Sequence, residues 1–209
     1  PMSDSAFLTE EEADTVSTTH TYSSVSLGTE SVNRKIIVAC AAYLASHSSV
    51  TVDGSSATKR ITGAQTGAYG HHSIWEVDLP TGASGDIVVV HSGTVTDAGI
   101  GVWAIYSTAS TFHASDQDSV VHATGTDVTT TATVPANGIM ISCCTMTNIV
   151  VTAAWTGLTE RWDGGMGAHQ WTGASDYYAS EQTSKVISVA ETANTQSYRQ
   201  LLTLTYGAS

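Results

Sequence analysis

The stretch that decides the fold spans residues 73–107 and reads SIWEVDLPTGASGDIVVVHSGTVTDAGIGVWAIYS. Loops of Pro, Gly, Ser, Thr and Asp separate its apolar runs, which is typical of short strands joined by turns. We interpret the stretch as three strands of one antiparallel sheet. Residues 74–79 mix apolar and acidic side chains, as on a half-exposed strand, whereas residues 87–90 and 100–106 are continuous enough to be covered on both faces.

The same pattern extends along the chain and indicates about fourteen short strands. Turn signals such as Asp53-Gly54 and Pro135-Ala136-Asn137-Gly138 separate the runs, and no amphipathic helix lies between them. The sequence therefore predicts an all-β fold, an antiparallel β-sandwich of jelly-roll type. The expected core includes five aliphatic residues and two tryptophans: Ile37, Val89, Val102, Ile105, Ile141, Trp75 and Trp103.

The first fifteen residues, PMSDSAFLTEEEADT, differ from the rest because they are acidic and compatible with a helix. Thr9 followed by Glu12 fits a capping box, and the glutamates would lie in the first turn, where the helix dipole favours them. We predict a short helix or arm at residues 1–15 and a single β-sandwich domain over residues 16–209, with no internal repeat of fixed period.

Charge and composition exclude two classes of partner. The net charge is −12, and the seven Lys and Arg residues are scattered, whereas phosphate binding needs clustered cations, so we predict no nucleic-acid partner. No run approaches the roughly 20 apolar residues that span a bilayer, and no secretion signal is recognisable, so we expect a soluble chain made in a cytosol. Cys40, Cys143 and Cys144 lack metal-site spacing and are predicted to be buried free thiols.

Two groups of residues could bind metal ions but match no known metal motif. His71 and His72 could act with His91 or His113, yet strand neighbours point to opposite faces. Asp116 and Asp118 alternate as in some calcium loops but lack the Gly and distal Glu of an EF-hand. We therefore predict no metal site and no cofactor.

Catalytic patterns are equally weak. No Gly-x-Ser-x-Gly elbow occurs. Glu160 with Asp163, or Glu76 with Asp78, could form a glycosidase pair only if folding sets their carboxylates at the required separation. We predict no catalytic residue.

The most suggestive local feature is a group of aromatic residues in the last third of the chain. Aromatic faces beside polar groups suit sugar rings and protein interfaces, although the same side chains could fill the sandwich core. The candidate carbohydrate- or partner-binding residues are Trp155, Trp162, Trp171, Tyr177 and Tyr178.

As a whole the chain resembles the minor virion proteins of tailed bacteriophages, the head decoration, spike or tail-fibre type. The resemblance lies in RKIIVACAAY, SVTVDGSSATK, GDIVVVHSGTVTDAGIGVWAIYS and the turn before GIMISCC, about a third of the chain. It implies a virion location after synthesis in the host cytoplasm, attachment to a capsid or tail, other virion proteins as partners, multiple copies and no chemistry. It carries over no functional residue.

From this we expect a non-enzymatic virion protein that forms a dimer or trimer. The acidic arm is the predicted particle anchor, through Phe7, Leu8, Glu10, Glu11 and Glu12. Two alternatives remain open. A carbohydrate-binding module for host attachment would expose Trp155, Trp162 and Trp171 to a surface glycan, and a polysaccharide-degrading enzyme would line a cleft with paired carboxylates.

Overall fold

The structure is a computed structural model, and it describes residues 5–63, 70–106, 111–120, 127–147, 152–167, 169–191 and 198–207. Over these residues the chain forms seventeen strands. The strands are β1 Ser5–Ala13, β2 Ser17–Ser26, β3 Lys35–Ala42, β4 His47–Val52, β5 Ser55–Ser56, β6 Thr58–Thr62, β7 His71–Asp78, β8 Ser84–Val95, β9 Ala98–Ile105, β10 Thr111–Val120, β11 Val128–Val134, β12 Gly138–Met146, β13 Ala153–Thr156, β14 Glu160–Met166, β15 His169–Tyr178, β16 Gln182–Glu191 and β17 Arg199–Gly207.

The strands pair antiparallel into four sheets, which confirms the predicted all-β sandwich. Sheet A has the order β1-β9-β3-β7-β6 and sheet B the order β2-β8-β4-β5. Sheet C has the order β10-β17-β12-β15-β14 and sheet D the order β11-β16-β13. In sheet A, β1 pairs with β9 and β9 pairs with β3, and in sheet B, β2 pairs with β8. This is jelly-roll topology.

The chain contains this topology twice. Strands β1 to β9 form an N-terminal lobe, and β10 to β17 repeat their order in a C-terminal lobe, with no counterpart to the short β5. Even the irregularities correspond. The first strand of each lobe bulges directly after a phenylalanine, Phe7 in β1 and Phe112 in β10, and β6 and β14 bulge at Arg60 and Arg161. The match lies in strand order and bulge position, which explains why no fixed period is visible in the sequence.

The sheets stack as four layers in the order B, A, C, D, held together by three interfaces. Ile36, Val38 and Cys40 of β3 contribute to the core between sheets A and B. Ile37 and Ala39 of the same strand contribute to the core between sheets A and C, with residues of both lobes. Smaller clusters join sheets C and D. Sheets A and C are therefore covered on both faces, and the five predicted aliphatic core residues, with Trp75 and Trp103, are all buried.

The strands of the deciding stretch divide between two sheets, so placing them in one sheet is wrong. β7 and β9 lie in sheet A on either side of β3, whereas β8 lies in sheet B. The exposure of two strands is correspondingly reversed. β7, expected to be half-exposed, is buried on both faces up to Asp78, while Val88 and Val90 of β8 are partly exposed. Layer position, not local apolar content, decides which strand is covered twice.

The predicted N-terminal helix is also wrong, because residues 5–13 form strand β1 and pair with β9 along their length. In this conformation Phe7 packs into the core between sheets A and C, and Leu8 packs against the core between sheets A and B. Burial of both apolar side chains outweighs the weak helix propensity of the segment. The division into an arm at 1–15 and one domain over 16–209 stays a prediction.

Two predicted turns and the predicted burial of the cysteines are confirmed. Asp53 and Gly54 both have positive φ, at 48° and 77°, and form the tight turn between β4 and β5. Asn137 has φ 56°, and the Gly138 N–H donates to the Pro135 carbonyl at 3.0 Å, which closes the predicted turn before β12. All three cysteines are buried, and none of them is in a disulfide bond.

One buried arginine fastens the loops that join the sheets of the N-terminal lobe. Arg34 is 1% exposed, and its guanidinium donates to four backbone carbonyls. The Nε group donates to Leu79 at 2.7 Å, Nη1 to Gly28 at 3.2 Å, and Nη2 to Thr81 and Gly82 at 2.5 and 2.7 Å. Arg34 therefore satisfies acceptors that the irregular segments around residues 28 and 79–82 cannot pair within strands.

Candidate functional site

The largest aromatic cluster lies between the lobes. Phe7 of β1 stacks on Trp162 of β14 at 5.1 Å between ring centroids and meets the edge of Trp103 at 5.5 Å. Trp162 also lies 5.2 Å from Trp103 and 4.9 Å from Trp171. Sheets A and C are thus joined by an aromatic interface with ring geometries that stabilise beyond area burial.

Two glycines make room for the Trp162 ring. A Cβ atom added to Gly173 of β15 would lie 1.9 Å from Trp162 Cη2, and one added to Gly101 of β9 would lie 2.4 Å from the same atom. The indole is therefore held between backbone of sheet A and backbone of sheet C. Neither glycine has a positive φ, so close approach, not turn geometry, requires the missing side chain.

We expect Gly173→Ala to lower the free energy of unfolding by about 1–3 kcal/mol, because the new methyl group overpacks the interface. Urea denaturation followed by fluorescence measures the change. Adding Trp162→Leu should relieve part of the cost, giving a favourable coupling of about 1 kcal/mol in a double-mutant cycle.

Gly165→Ala is the matched control on β14, since a Cβ atom there meets nothing within 4 Å. Its effect should stay within about 0.5 kcal/mol. Additive effects of Gly173→Ala and Trp162→Leu would contradict the proposed contact.

The predicted aromatic site does not form one surface. Trp162 is 9% exposed and Trp171 is fully buried, both on the face of sheet C that meets sheet A. Trp155 is half-buried between sheets C and D, where its Nε1 group donates to Thr172 Oγ1 at 2.8 Å. Tyr177 is 41% exposed and donates to Asn137, and Tyr178 donates to the Gly157 carbonyl. Exposed stacking faces at Trp162 and Trp171, which sugar binding there would need, are missing.

A buried charge network crosses from strand to strand beside this interface. Glu76 Oε1 of β7 accepts from Lys35 Nζ at 3.1 Å and from Arg60 Nη2 at 2.5 Å, and Lys35 also bonds the exposed Asp78 at 2.7 Å. The guanidinium of Arg60 lies over the Phe112 ring of the other lobe at 5.1 Å. Burial alone would raise the pKa of Glu76, but hydrogen bonds and the nearby cations hold it below its ordinary value. The pair Glu76 and Asp78 is thus neutralised by lysine and arginine.

The predicted anchor residues occupy the edge of sheet A. Glu10 and Glu12 alternate on the face toward sheet C, where a Cβ atom at Gly164 would come within 3.4 and 3.1 Å of their carboxylates. Burial, the charge and hydrogen bond of Glu10, and the charge of Asp14 raise the pKa of Glu12 to about 7. Glu11 has a raised pKa from burial and from Glu10. An anchoring role for these residues stays a prediction.

The remaining acidic pairs have structural partners. Asp163 accepts hydrogen bonds from Gln170 Nε2 and from the Ala153 N–H. Burial and the negative charge of Asp163 raise the pKa of Glu160. Asp116 and Asp118 of β10 accept from the backbone N–H groups of Thr131 and Thr129 at 2.7 and 2.8 Å. These carboxylates therefore cap the open edge of β11.

Histidines gather inside the N-terminal lobe in a group that the sequence analysis only partly identified. His71 and His91 lie there with His20 and His47, which were missed because their strands are separated in sequence and carry no motif. His72 is buried on the opposite face of β7, and His113 is exposed on β10. No group of three or more His, Cys, Asp or Glu in the described part of the chain is arranged to hold a metal ion.

The comparisons with known proteins do not show a family for this chain. No protein-family model and no curated protein matches the chain. Among solved structures, the STIV MCP, a viral major capsid protein, aligns over 97% of this chain and 97% of its own at 10% identity, with a TM-score of 0.27. A chain from the atomic structure of Sulfolobus Turreted Icosahedral Virus aligns over 97% and 91% at 10% identity, with a TM-score of 0.28.

The N-terminal domain of a Streptococcus gordonii adhesin covers 87% of this chain and 50% of its own at 10% identity, with a TM-score of 0.16. Scores this low carry no argument about function. Neither viral structure is a minor protein of a tailed bacteriophage. Within the described ranges, no helix is long and apolar enough to cross a membrane.

Proposed function

We propose that this chain is a non-enzymatic structural protein of a virus particle, attached to the capsid or tail of a tailed bacteriophage as an oligomeric decoration or fibre component. The observation that carries the proposal is the tandem jelly roll, two lobes joined face to face by an interface filled with large side chains. Jelly rolls serve chiefly as capsid, lectin and cupin domains. Because one fold can serve many functions, the placement of side chains must distinguish among these classes.

Side-chain placement favours the capsid type over the other jelly-roll classes. A lectin built on the predicted aromatic residues would need exposed rings, yet Trp162 and Trp171 hold the lobes together. A degrading enzyme built on the predicted carboxylate pairs would need them in a cleft, yet Glu76 is buried between cations. The residues that could carry chemistry are used for packing and for ion pairing.

Charge supports display on a particle without contact to the genome. Lys35, Arg60 and Arg161 form ion pairs within the chain, and Arg34 is bound by carbonyls. Lys59 and Lys185 lie over aromatic rings of the chain, and Arg199 is buried. The cations are thus engaged internally, which leaves an acidic surface that repels nucleic acid and keeps closely spaced copies soluble.

The test is the composition of purified particles. Quantitative mass spectrometry of gradient-purified virions should find the chain at a fixed copy number, and light scattering of the isolated protein should give a dimer or trimer. Absence from particles, or turnover of a bacterial surface polysaccharide by the purified chain, would overturn the proposal.

The free edge of β1 is the attachment surface that we propose. Changing Glu10, Glu11 and Glu12 together to Gln should reduce particle occupancy at least about tenfold without lowering the melting temperature, since it removes mutual repulsion. The control combines Asp127→Asn with Glu181→Gln, two exposed carboxylates of the C-terminal lobe. Unchanged occupancy of the triple variant would assign attachment to another surface.

A further inference from the structure

Four imidazoles close one end of the N-terminal lobe. His20 of β2, His47 of β4 and His91 of β8 come from sheet B, and His71 of β7 comes from sheet A. Their exposed fractions are 4%, 3%, 5% and 8%. His47 and His91 are register partners with ring centroids 5.4 Å apart, and His20 lies 5.1 Å from His91.

The hydrogen bonds of this cluster fit neutral rings. His20 Nε2 lies 2.8 Å from the Thr15 carbonyl, which can only accept, so this nitrogen carries the proton. His20 Nδ1 must then accept the bond at 3.0 Å from His91 Nε2–H. This leaves His91 Nδ1 as a bare acceptor that is buried without a partner. His47 Nε2 and His71 Nδ1 are also buried without a hydrogen-bond partner, whereas His47 Nδ1 lies 2.8 Å from Ser73 Oγ. A second proton in this hydrogen-bonded pair would leave an N–H group at His91 Nδ1 without an acceptor.

The surrounding charges do not compensate a buried cation. Lys59 of β6 donates to the His47 carbonyl at 2.7 Å and adds a positive charge, and His72 faces away on β7. The thiol of Cys40 on β3 and the phenol of Tyr22 on β2 are held neutral by burial. The nearby carboxylates affect the pKa values of other groups: Glu11 that of Tyr22, Asp14 that of Glu12, and Asp97 that of His169. In the described ranges, no ion pair joins a carboxylate to one of the four histidines.

The C-terminal lobe carries no histidine at the same place, because β11, β13 and β16 contain none. Val128 pairs with Val189 as His20 pairs with Val89. The pair of Ala153 and Glu191 occupies the position that His47 and His91 take in the N-terminal lobe. The two lobes share their topology but differ in this one end of the core.

We propose that the cluster of His20, His47, His71 and His91 is an acid-sensitive latch that opens the N-terminal lobe while the C-terminal lobe stays closed. Opening separates sheet B from sheet A, hydrates the rings and lets His47, His71 and His91 take up protons. The latch goes beyond a structural role on a particle, since it makes one half of the molecule responsive to acid.

The sign of the effect follows from the shifted groups. Burial and the neighbouring histidines lower the pKa of His91 from 6.5 to about 4 and that of His47 well below its ordinary value, and burial lowers the pKa of His71. The stability that the neutral histidines contribute to the closed lobe is therefore fully present above pH 6.5 and is lost as the pH falls from 6.5 toward 4. Each released histidine favours opening by up to about tenfold per pH unit.

Hydrogen exchange of the full chain tests the latch. Between about pH 7 and pH 4.5, after correction for intrinsic rates, amides of β2, β4 and β8 should exchange at least about tenfold faster relative to those of β11, β13 and β16. His72 and His169, buried between sheets A and C, would loosen both lobes together and leave this ratio unchanged. Loss of protection at the same pH in both lobes would overturn the proposal.

Substitution provides the second readout. His20→Val with His91→Leu, which removes the hydrogen-bonded pair of rings, should abolish the difference between the lobes. The exposed His113→Gln should keep it. A double variant that folds and keeps the wild-type ratio would contradict the latch. Slower exchange on adding zinc ions alone at neutral pH would assign a metal site instead. If the double variant does not fold, the wild-type exchange ratio decides.

Discussion

Arg34→Met is expected to lower the free energy of unfolding by more than about 3 kcal/mol, because it removes four hydrogen bonds from a charged donor, one buried and three part-buried. A hydrogen bond to a charged group contributes about 1.5–3 kcal/mol. Four carbonyls, in the segments around residues 28 and 79–82, depend on this one guanidinium. Chemical denaturation measures the loss. Arg34→Lys should recover only part of it, since an ammonium lacks the planar fork that reaches several acceptors.

Lys185→Met is the control for Arg34, because Lys185 lies 5.7 Å over the Tyr178 ring at the surface of the other lobe. Its effect should stay below about 1 kcal/mol. An Arg34→Met protein as stable as the wild type would show that water replaces the guanidinium at these carbonyls.

Glu76→Ala should destabilise the protein by about 3–5 kcal/mol, because it leaves Lys35 and Arg60 without their shared counter-charge beside the interface between the lobes. Asp78→Ala is the matched control. Asp78 bonds the same lysine at 2.7 Å, but its side chain is 82% exposed, so its loss should cost less than about 1 kcal/mol. Equal effects of the two substitutions would contradict a buried role for Glu76.

The network also has its own dependence on pH. The pKa of Glu76 is lowered from 4.5 in the folded chain, so the stability it contributes is present above pH 4.5 and is lost as the pH falls through the folded value. The buried histidines act earlier, below pH 6.5. An acid titration of stability should therefore fall in two stages, and only the lower stage should disappear in Glu76→Gln.

The fold class and much of the core could be predicted from the sequence, because alternation and turn residues are local signals. Val89, Val102 and Ile141 are buried as expected, and the turns at Gly54 and Gly138 form as expected. Layer position could not be predicted. Glu76 suggested an exposed face, but its burial depends on Lys35, 41 residues away in the chain.

The candidate site was harder to predict for the same reason. A tryptophan beside glycines is compatible with both a sugar-binding surface and a packed interface. Trp162 belongs to a packed interface because Gly101 of the other lobe lies against its ring, and this contact cannot be read from the local sequence. The histidine group could not be found because His20, His47 and His91 meet only across paired strands. The helix expected at residues 5–13 failed because local propensity ignored the partner strand β9.

The caps that Asp116 and Asp118 place on β11 have a consequence for behaviour at high concentration. An uncapped edge strand offers its N–H groups to any neighbouring chain and can seed end-to-end polymerisation. Here two alternate N–H groups, those of Thr129 and Thr131, are already taken by carboxylates of the same chain. The β11 edge of sheet D is therefore less available for strand pairing with a second molecule, which leaves self-association to other surfaces.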